Sequence, residues 1–430
     1  MHFVLTPLGS AGDVYPFLWI GSQLAERGHA VTVVTSSRFE PEVRGARLAF
    51  RALGAPEEYE RLTRHPDLWH PTRAIRLVGG VAGAATGDLF DAIAEVTRGK
   101  PAVLVGSLLS LGTRLAREKL GLPLATVHLQ PACFVSVHET PVLFAGLEWF
   151  TRLPRPLKRL ALALPNPMDR SMRRGVAAAC RREGIAAPRS VVRDWIHSPD
   201  LVLGLFPEWF AAPQPDWPAS THLTGFPLAD QRDLFPIRPE LRAFLDAGPP
   251  PVVITAGSAM RQGENFFAAA IGACGQLGRR MVIATSHPEQ VARPLPANAF
   301  LAEYAPFGVL LPGTAAFLNH GGIGTVSQGL GAGVPQLILP MSHDQPDNAN
   351  RLRRLGTGDF LYRRDWTPDR IAARLDLLMR SRDVRAACET AAARCREARA
   401  AEIVVAQLER LARPGGVEGT GASRRTAGDR

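Results

Sequence analysis

The residues best suited to binding an anion lie in one turn in the last third of the chain. The apolar run Ala315–Leu318 predicts a short buried strand. Gly321, Gly322 and Gly324 then remove every Cβ where a helix should begin, so backbone N–H groups can approach a ligand closely. A helix N-terminus offers unpaired N–H groups and a partial positive charge, which favour a phosphate. His320, just before the glycines, would add a hydrogen-bond donor; the alternative is a structural histidine.

A second polar group follows the next predicted strand, Gln336–Pro340. Ligands of open α/β sheets bind beyond the carboxyl ends of the strands. The acid and the amide of Asp344 and Gln345 stand at such an end and suit the hydroxyl groups of a sugar. The alternative is that Asp344 caps a helix that begins near Asp347. We favour the sugar contact.

The candidate base lies near the N-terminus. Met1–Leu8 predicts a strand and Val14–Arg27 a helix, and Asp13 is the ionisable side chain of the glycine-rich turn between them. A carboxylate at this strand end could take a proton from an attacking hydroxyl group, and it could also cap the helix. Ser258 has the same position after the strand Pro251–Ala256, where it is either a ligand contact or a plain turn residue.

A dinucleotide site is the rival interpretation of the same glycines. Gly322, Ile323 and Gly324 supply the first part of a G-x-G-x-x-G pattern, and Asp344 lies about where such a fold carries its ribose-binding acid. Ser327 stands in place of the third glycine, and the motif comes late in the chain rather than after a first strand. The sequence therefore disfavours an NAD-linked enzyme.

Composition narrows the class of protein. A chain of 430 residues with 46% hydrophobic residues can form two globular domains. The net charge of +10 comes almost wholly from arginine. It suits acidic ligands or an anionic membrane surface, unless it only reflects biased codon usage. A basic helix with interleaved aromatic residues is missing from the sequence, which disfavours nucleic acid as a partner.

Cysteine usage and the apolar runs predict a cytoplasmic location. The five cysteines are scattered and form no C-x-x-C pair, which disfavours disulfides and a zinc site. The chain does not open with a basic segment and a long apolar core, and no window of about 18 residues is uninterruptedly apolar. We therefore expect neither a signal peptide nor a membrane span.

The order of apolar strands and helices predicts an α/β fold of two doubly wound, Rossmann-like domains that face each other across a cleft. We place the first domain at residues 1–213, a proline-rich linker at 214–236, the second domain at 237–412 and a disordered tail at 413–430. The last predicted helix, Ala400–Leu411, either closes the second domain or packs back on the first.

Residues 136–170 interrupt this alternation with large apolar groups mixed with Arg152, Arg155, Lys158 and Arg159. Two interpretations stay open. The segment lines an apolar pocket for a hydrophobic substrate or lies on a membrane surface; or it is a helix that packs on the core.

Four motifs together resemble the family 1 glycosyltransferases of the GT-B fold. They are GSAGDVYPF, HGGIGT, GVPQLILP and DQPDNANRL, and the resemblance extends over nearly the whole chain. It implies an inverting transfer from a nucleotide-activated sugar, without a metal ion or other cofactor.

The resemblance also implies roles for individual residues. Asp13 matches the general base, although many relatives carry a histidine in this region. Asp344 and Gln345 match the residues that hold the donor sugar. The donor diphosphate would contact the turn, and Ser258 is a candidate for the same group: the matching turn residues are His320, Gly322, Gly324 and Thr325.

The base and ribose of the donor would meet two further places. Tyr304, Ala305 and Pro306 resemble the segment that stacks on the nucleotide base, with Tyr304 in place of tryptophan and Phe307 in place of glutamine. Gln328 stands where users of uridine diphosphate often carry a ribose-binding glutamate. Because a deoxyribose lacks the 2′-hydroxyl group, we expect a dTDP-sugar donor.

Less general segments, among them VGSLLSLGTRLAREK, WIHSPD and LFPEWFAAPQPDWP, resemble the rhamnosyltransferases of rhamnolipid synthesis. This resemblance implies transfer of L-rhamnose from dTDP-L-rhamnose to a hydrophobic, hydroxylated lipid, 3-(3-hydroxyalkanoyloxy)alkanoate. Peripheral contact with the inner membrane or a membrane partner stays open. The alternatives are a UDP-glucose-dependent enzyme acting on a sterol, a polyketide or another aglycone, and a non-catalytic GT-B subunit.

Overall fold

Two parallel sheets organise the chain. The computed structural model describes residues 1–164, 166–228 and 237–413. The first sheet has seven strands in the order β3-β2-β1-β4-β5-β6-β7. Its strands are β1 His2–Thr6, β2 Ala30–Thr35, β3 Ala49–Ala52, β4 Ala102–Ser107, β5 Leu124–His128, β6 Leu201–Gly204 and β7 Thr221–Leu223.

The second sheet has six strands in the order β10-β9-β8-β11-β12-β13, and all its pairs are parallel. Its strands are β8 Val252–Thr255, β9 Met281–Ala284, β10 Ala299–Ala302, β11 Ala316–Asn319, β12 Gln336–Ile338 and β13 Gly358–Phe360. Parallel strands need crossover connections, which helices supply on both faces, and this explains why the central strands are apolar throughout.

Seventeen α-helices are present in the described ranges. They are α1 Ala11–Glu26, α2 Glu40–Gly45, α3 Pro56–Thr63, α4 Arg73–Ala84, α5 Thr86–Thr97, α6 Leu111–Leu120, α7 Arg155–Ala163, α8 Pro167–Glu183, α9 Val191–Asp194, α10 Pro239–Asp246, α11 Glu264–Gln276, α12 Phe307–Leu310, α13 Ile323–Ala332, α14 Gln345–Leu355, α15 Pro368–Arg380, α16 Arg382–Glu397 and α17 Ala400–Leu411.

Strand order reverses at one point in each sheet, between β1 and β4 and between β8 and β11. Crevices at such points are where ligands of doubly wound sheets bind. Asp13 lies in the first turn of the helix that follows β1, and His320 lies directly after β11, so the topology brings both predicted groups to these edges of the sheets.

The C-terminal helix packs on the first domain. Val404, Val405 and Leu408 of α17 are buried in one apolar cluster with Phe17 and Leu24 of α1. The chain therefore returns to its N-terminal half after the second sheet is complete. The proposed domain limits stay predictions.

Three local predictions differ from the structure. β7 lies inside the proposed linker 214–236 and pairs with β6, because a three-residue strand among prolines depends on a distant partner. α1 begins at Ala11, so Asp13 lies in its first turn and Ser10 is the N-cap residue. α14 begins at Gln345 rather than near Asp347. Residues 229–236 of the linker and 414–430 of the predicted disordered tail lie outside the described residues.

No single helix within the described residues is long and apolar enough to cross a membrane. Helices α4 and α5, which are bent by 42° relative to each other, are together long and apolar enough for a broken membrane span by length and composition alone.

Candidate active site

A cavity of about 1480 Å³ separates the ligand-binding edges of the two sheets. Eleven of the twelve predicted site residues line it. The exception is Pro306, which precedes α12 as its N-cap residue, while its neighbour Phe307 lines the cavity instead. The lining residues are Asp13, Ser258, Tyr304, Ala305, His320, Gly322, Gly324, Thr325, Gln328, Asp344 and Gln345.

Asp13 is held rigidly at the start of α1. Its Oδ2 accepts a hydrogen bond from the backbone N–H of Ser10 at 2.7 Å and another from the Ser10 hydroxyl at 3.0 Å. A Cβ on Gly9, whose φ is +134°, would lie 2.3 Å from the same oxygen, so only glycine fits there. Burial raises the pKa of Asp13 and the nearby charge of Asp344 adds to this, while the Ser10 hydrogen bonds oppose it. The carboxylate is thus a stronger base than an exposed aspartate.

His320 is enclosed between two glycines. Cβ atoms on Gly257 and Gly322 would lie 2.7 and 2.6 Å from its ring. Burial, with a smaller effect of His343, lowers the pKa of His320 to about 4. The imidazole is therefore neutral at physiological pH and can offer a diphosphate a hydrogen bond but no charge. Its Nδ1 is buried and has no hydrogen-bond partner among the described residues.

The positive potential of the turn comes from α13, whose N-cap residue is Gly322. A Cβ on Gly324 would meet no atom within 4 Å, which leaves open space beside the first turn of the helix. Gly321 has φ +94°, and a Cβ there would lie 2.7 Å from Ile338. The turn thus combines exposed helix N–H groups with room for a ligand.

Asp344 and Gln345 differ in what they leave for a ligand. Oδ2 of Asp344 accepts from the Ile323 backbone N–H at 3.2 Å and from the Asn348 side chain at 2.6 Å. Burial raises the pKa of Asp344 to about 6. Oε1 of Gln345 accepts from the N–H groups of Met341 and Ser342 at 2.7 and 3.0 Å. The carbonyl of Gln345 therefore holds the loop, and its amide NH₂ group remains to donate to a ligand.

Trp69 and His343 are among the cavity-lining residues that were not predicted. His343 adopts a left-handed backbone with φ +60°, and its Nε2–H donates to the Leu68 carbonyl at 3.0 Å. Its ring meets the Trp69 ring edge-on at 5.5 Å. His343 directly precedes Asp344 in the sequence, which is a weak signal of a role. For Trp69 the sequence held no such signal, because its ring partner His343 is distant in the chain.

Buried hydrogen bonds join the first domain to α14. The backbone N–H of Val142 donates to Asp347 Oδ1 at 3.0 Å. Arg351 donates to Asp347 Oδ2 at 2.7 Å and to Glu139 Oε1 at 2.9 Å. Because α14 begins with Gln345, these contacts fix Asp344 and Gln345, the candidate sugar contacts, relative to the loop 136–142 of the first domain.

The far end of the cavity is apolar. Residues Leu143, Phe144 and Leu162 of the segment 136–170 line it, together with residues of α4. Arg76 is the one lysine or arginine that lines the cavity in the described ranges, so a carboxylate bound at this end would meet few cations. The exposure of two side chains of α7 differs from that expected for a helix packed on the core. Leu160 is 68% exposed, whereas Lys158 is only 4% exposed.

Within the described ranges, no group of three histidine, cysteine, aspartate or glutamate residues could hold a metal ion.

Two domain families match separate parts of the chain. The glycosyltransferase family 28 N-terminal domain matches residues 3–138, and the C-terminal domain of erythromycin biosynthesis protein CIII-like proteins matches residues 268–411. The O-mycaminosyltylonolide 6-deoxyallosyltransferase of Streptomyces fradiae is 31% identical over 83% of this chain and 84% of its own length. The chain belongs to the family 1 glycosyltransferases.

Solved structures show the same fold. The calicheamicin glycosyltransferase CalG4 superposes with a TM-score of 0.70 at 20% identity, covering 95% of this chain and 98% of its own. The glycosyltransferase VinC in complex with dTDP gives 0.65 at 20% identity, covering 96% and 99%. The predicted GT-B fold of two Rossmann-like domains is confirmed. Residues 139–267 of this glycosyltransferase, including the apolar segment around α7, lie outside both domain matches.

Proposed function

We propose that this glycosyltransferase transfers L-rhamnose from dTDP-L-rhamnose, with inversion and without a metal ion, to a hydroxyl group of a hydrophobic lipid such as 3-(3-hydroxyalkanoyloxy)alkanoate. One observation carries the proposal: a single cavity, apolar at its far end, contains both a basic carboxylate, Asp13, and the anion-binding turn of α13.

The reaction follows from these groups. Asp13 takes the proton of the acceptor hydroxyl, the oxygen attacks the anomeric carbon, and the bond from that carbon to the diphosphate oxygen breaks. The leaving diphosphate gains charge where the N–H groups of α13 and the neutral His320 already point, so they stabilise the transition state more than the ground state. Asp344 would accept and Gln345 would donate hydrogen bonds to the sugar.

Two observations support a dTDP-sugar. Gln328 lines the cavity. Its side chain lacks the negative charge with which a glutamate would bind a ribose 2′-hydroxyl group. VinC, which shares the fold, binds dTDP. The deoxysugar named in the tylonolide relative also agrees with a 6-deoxyhexose donor.

A polyketide aglycone is the second candidate acceptor. The Streptomyces fradiae relative is named for a tylonolide acceptor. The charges of the cavity favour this candidate, because Glu42, Glu58 and Asp88 line its first-domain part and Arg76 is the one arginine there in the described chain. A lipid carboxylate would find few cations, whereas a neutral aglycone needs none.

A panel of donors and acceptors tests the proposal. We expect release of dTDP from dTDP-L-rhamnose with the hydroxyalkanoyloxyalkanoate at a rate at least tenfold above that from UDP-glucose, since a lost or unpaired hydrogen bond costs about 1–3 kcal/mol. Tighter binding of UDP-glucose than of dTDP-L-rhamnose in calorimetry would contradict the donor, and turnover with a macrolide aglycone alone would replace the lipid acceptor.

We propose further that the surface around α7 contacts the inner membrane. Six of the twelve large apolar residues exposed in the described chain lie between Val135 and Leu164. Arg152, Arg155 and Arg159 are exposed beside them. An amphipathic helix with basic neighbours suits an anionic lipid surface, and its inner face lines the cavity, so a lipid acceptor could enter from the membrane.

Vesicle sedimentation tests this contact. Leu160→Glu is expected to lower binding to phosphatidylcholine vesicles containing phosphatidylglycerol about tenfold, because it buries a charge in the headgroup region. Leu377→Glu on α15, where the leucine is 62% exposed, is the matched control and should bind as wild type. Equal binding of the two variants, or no binding by wild type, would show that α7 meets something other than lipid.

A further inference from the structure

Trp69 carries a buried hydrogen-bond donor without an acceptor beside the candidate sugar site. It ends the short 3-10 helix Pro66–Trp69 of the first domain, yet it packs against the apolar core of the second. Its Nε1–H is buried and has no partner among the described residues. An indole N–H can only donate, so in the working enzyme an acceptor is expected at this position.

His343 holds the Trp69 ring in place. A carbonyl oxygen only accepts, so the contact with Leu68 fixes the imidazole proton on Nε2. The same imidazole meets the Trp69 ring edge-on, with 80° between the two planes. A left-handed backbone at a residue other than glycine is unfavourable and persists only where the surroundings require it. Here it lets one side chain of the second domain hold a loop of the first.

Other buried polar atoms without a partner lie around the same point. They are Nδ1 of His320, Oγ of Ser342 and Oδ1 of Asn348, in residues that adjoin the phosphate turn or the sugar-binding pair. Asn348 itself donates to Asp344 and to the Gly321 carbonyl. Buried polar groups in folded proteins are nearly always paired, and of these three residues only His320 also lines the cavity in the described chain, so the unpartnered atoms of Trp69 and His320 indicate where a polar ligand sits.

We propose that Trp69 is a specificity-determining residue for the donor sugar, whose indole N–H donates to a sugar hydroxyl from the first domain, and that His343 is its positioning residue. This inference rests on the proposed nucleotide-sugar donor. If so, the two domains contact different parts of the donor. The second domain binds the nucleotide and diphosphate, and both domains contact the transferred sugar.

Calorimetry without acceptor separates the two parts of the donor. Trp69→Phe keeps an aromatic ring but removes the N–H group. We expect its Kd for dTDP to stay within about twofold of wild type and its Kd for dTDP-L-rhamnose to rise about tenfold, the effect of one lost hydrogen bond to an uncharged group. His343→Asn keeps a residue that tolerates the left-handed backbone and should raise the Kd for dTDP-L-rhamnose by a smaller factor.

Trp217→Phe is the matched control, because its Nε1 is likewise buried without a partner but the residue does not line the cavity. It should bind both ligands as wild type does. An equal loss of dTDP and dTDP-L-rhamnose in Trp69→Phe, or no change in either, would overturn the inference. Failure of the wild type to bind dTDP or any dTDP-sugar would instead overturn the proposed donor.

Nuclear magnetic resonance gives a second readout on the wild type. In protein labelled at the tryptophan indole nitrogens, the Trp69 signal is expected to shift on adding dTDP-L-rhamnose and not on adding dTDP. A shift with dTDP alone would contradict contact with the sugar. This measurement keeps the inference testable even where Trp69→Phe does not fold.

Discussion

Asp13→Asn is expected to lower kcat about a thousandfold, the middle of the range for loss of a general base. The amide is close in shape to the carboxylate and can still accept a hydrogen bond from the Ser10 backbone, 2.7 Å away in the wild type. It cannot take the proton of an acceptor hydroxyl. Steady-state kinetics with calorimetry of dTDP binding test this. The Kd for dTDP should not change, because Asp13 lies in α1 of the first domain and the diphosphate is proposed to bind the turn of α13 in the second.

Asp169→Asn is the matched control for that variant. Asp169 also lies in the first turn of a helix and accepts from a serine hydroxyl at 2.8 Å and a backbone N–H at 2.9 Å, but it does not line the cavity. It should lose stability without losing kcat. Full turnover by folded Asp13→Asn would remove Asp13 from the mechanism.

The motifs that the sequence revealed are those whose chemistry is local. The phosphate turn needs one strand, three glycines and one helix start in succession, and Asp13 needs only the end of β1 and the start of α1. In both cases the backbone that positions the group is adjacent in the chain, so residue type and spacing are sufficient. The reversal of strand order puts each group at the ligand-binding edge of its own sheet, which doubly wound topology made predictable, and both groups line one cavity.

The missed features depend on distant contacts. Leu68 and His343 are separated by 275 residues, and no periodicity indicates that a histidine after one sheet will hold a loop of the other. β7 was hidden for the same reason, since its partner β6 lies across a proline-containing loop. In α7 only the structure shows that Leu157 and Leu160 point outward while Leu162 lines the cavity.

The surroundings of the carboxylates at the candidate sugar site also could not be predicted from sequence. They differ between Asp344 and Asp347, which lie one helical turn apart. Asp347 pairs with Arg351 at 2.7 Å, and both side chains are almost fully buried. Asp344 accepts hydrogen bonds only from the Ile323 N–H group and the Asn348 amide among its described partners, and its pKa rises to about 6. The ionised carboxylate of Asp344 is thus unfavourable to folding, whereas the carboxylate of Asp347 has a buried guanidinium beside it.

Asp344→Asn is therefore expected to stabilise the fold while damaging the enzyme. An aspartate in the unfolded chain has a pKa of about 3.9, so the folded protein binds the Asp344 proton more tightly than the unfolded one. Below about pH 4 the Asp344 carboxylate therefore does not lower the free energy of unfolding. Its destabilising effect grows between about pH 4 and about pH 6 and stays constant at higher pH. Two pKa units correspond to about 3 kcal/mol, which we reduce to about 1–2 kcal/mol because the carboxylate is partly open to the cavity.

Denaturant unfolding at about pH 7.5 and about pH 4 measures this difference. Asp344→Asn should be more stable than wild type at the higher pH and equal at the lower, and its kcat/KM for the donor should fall about a hundredfold because the amide is a weaker acceptor for sugar hydroxyls. Asp347→Asn should lose about 3 kcal/mol instead, since it leaves Arg351 buried with a weakened partner set. Lower stability of Asp344→Asn at neutral pH would mean that a cation, not the bound sugar, is the natural partner of this carboxylate.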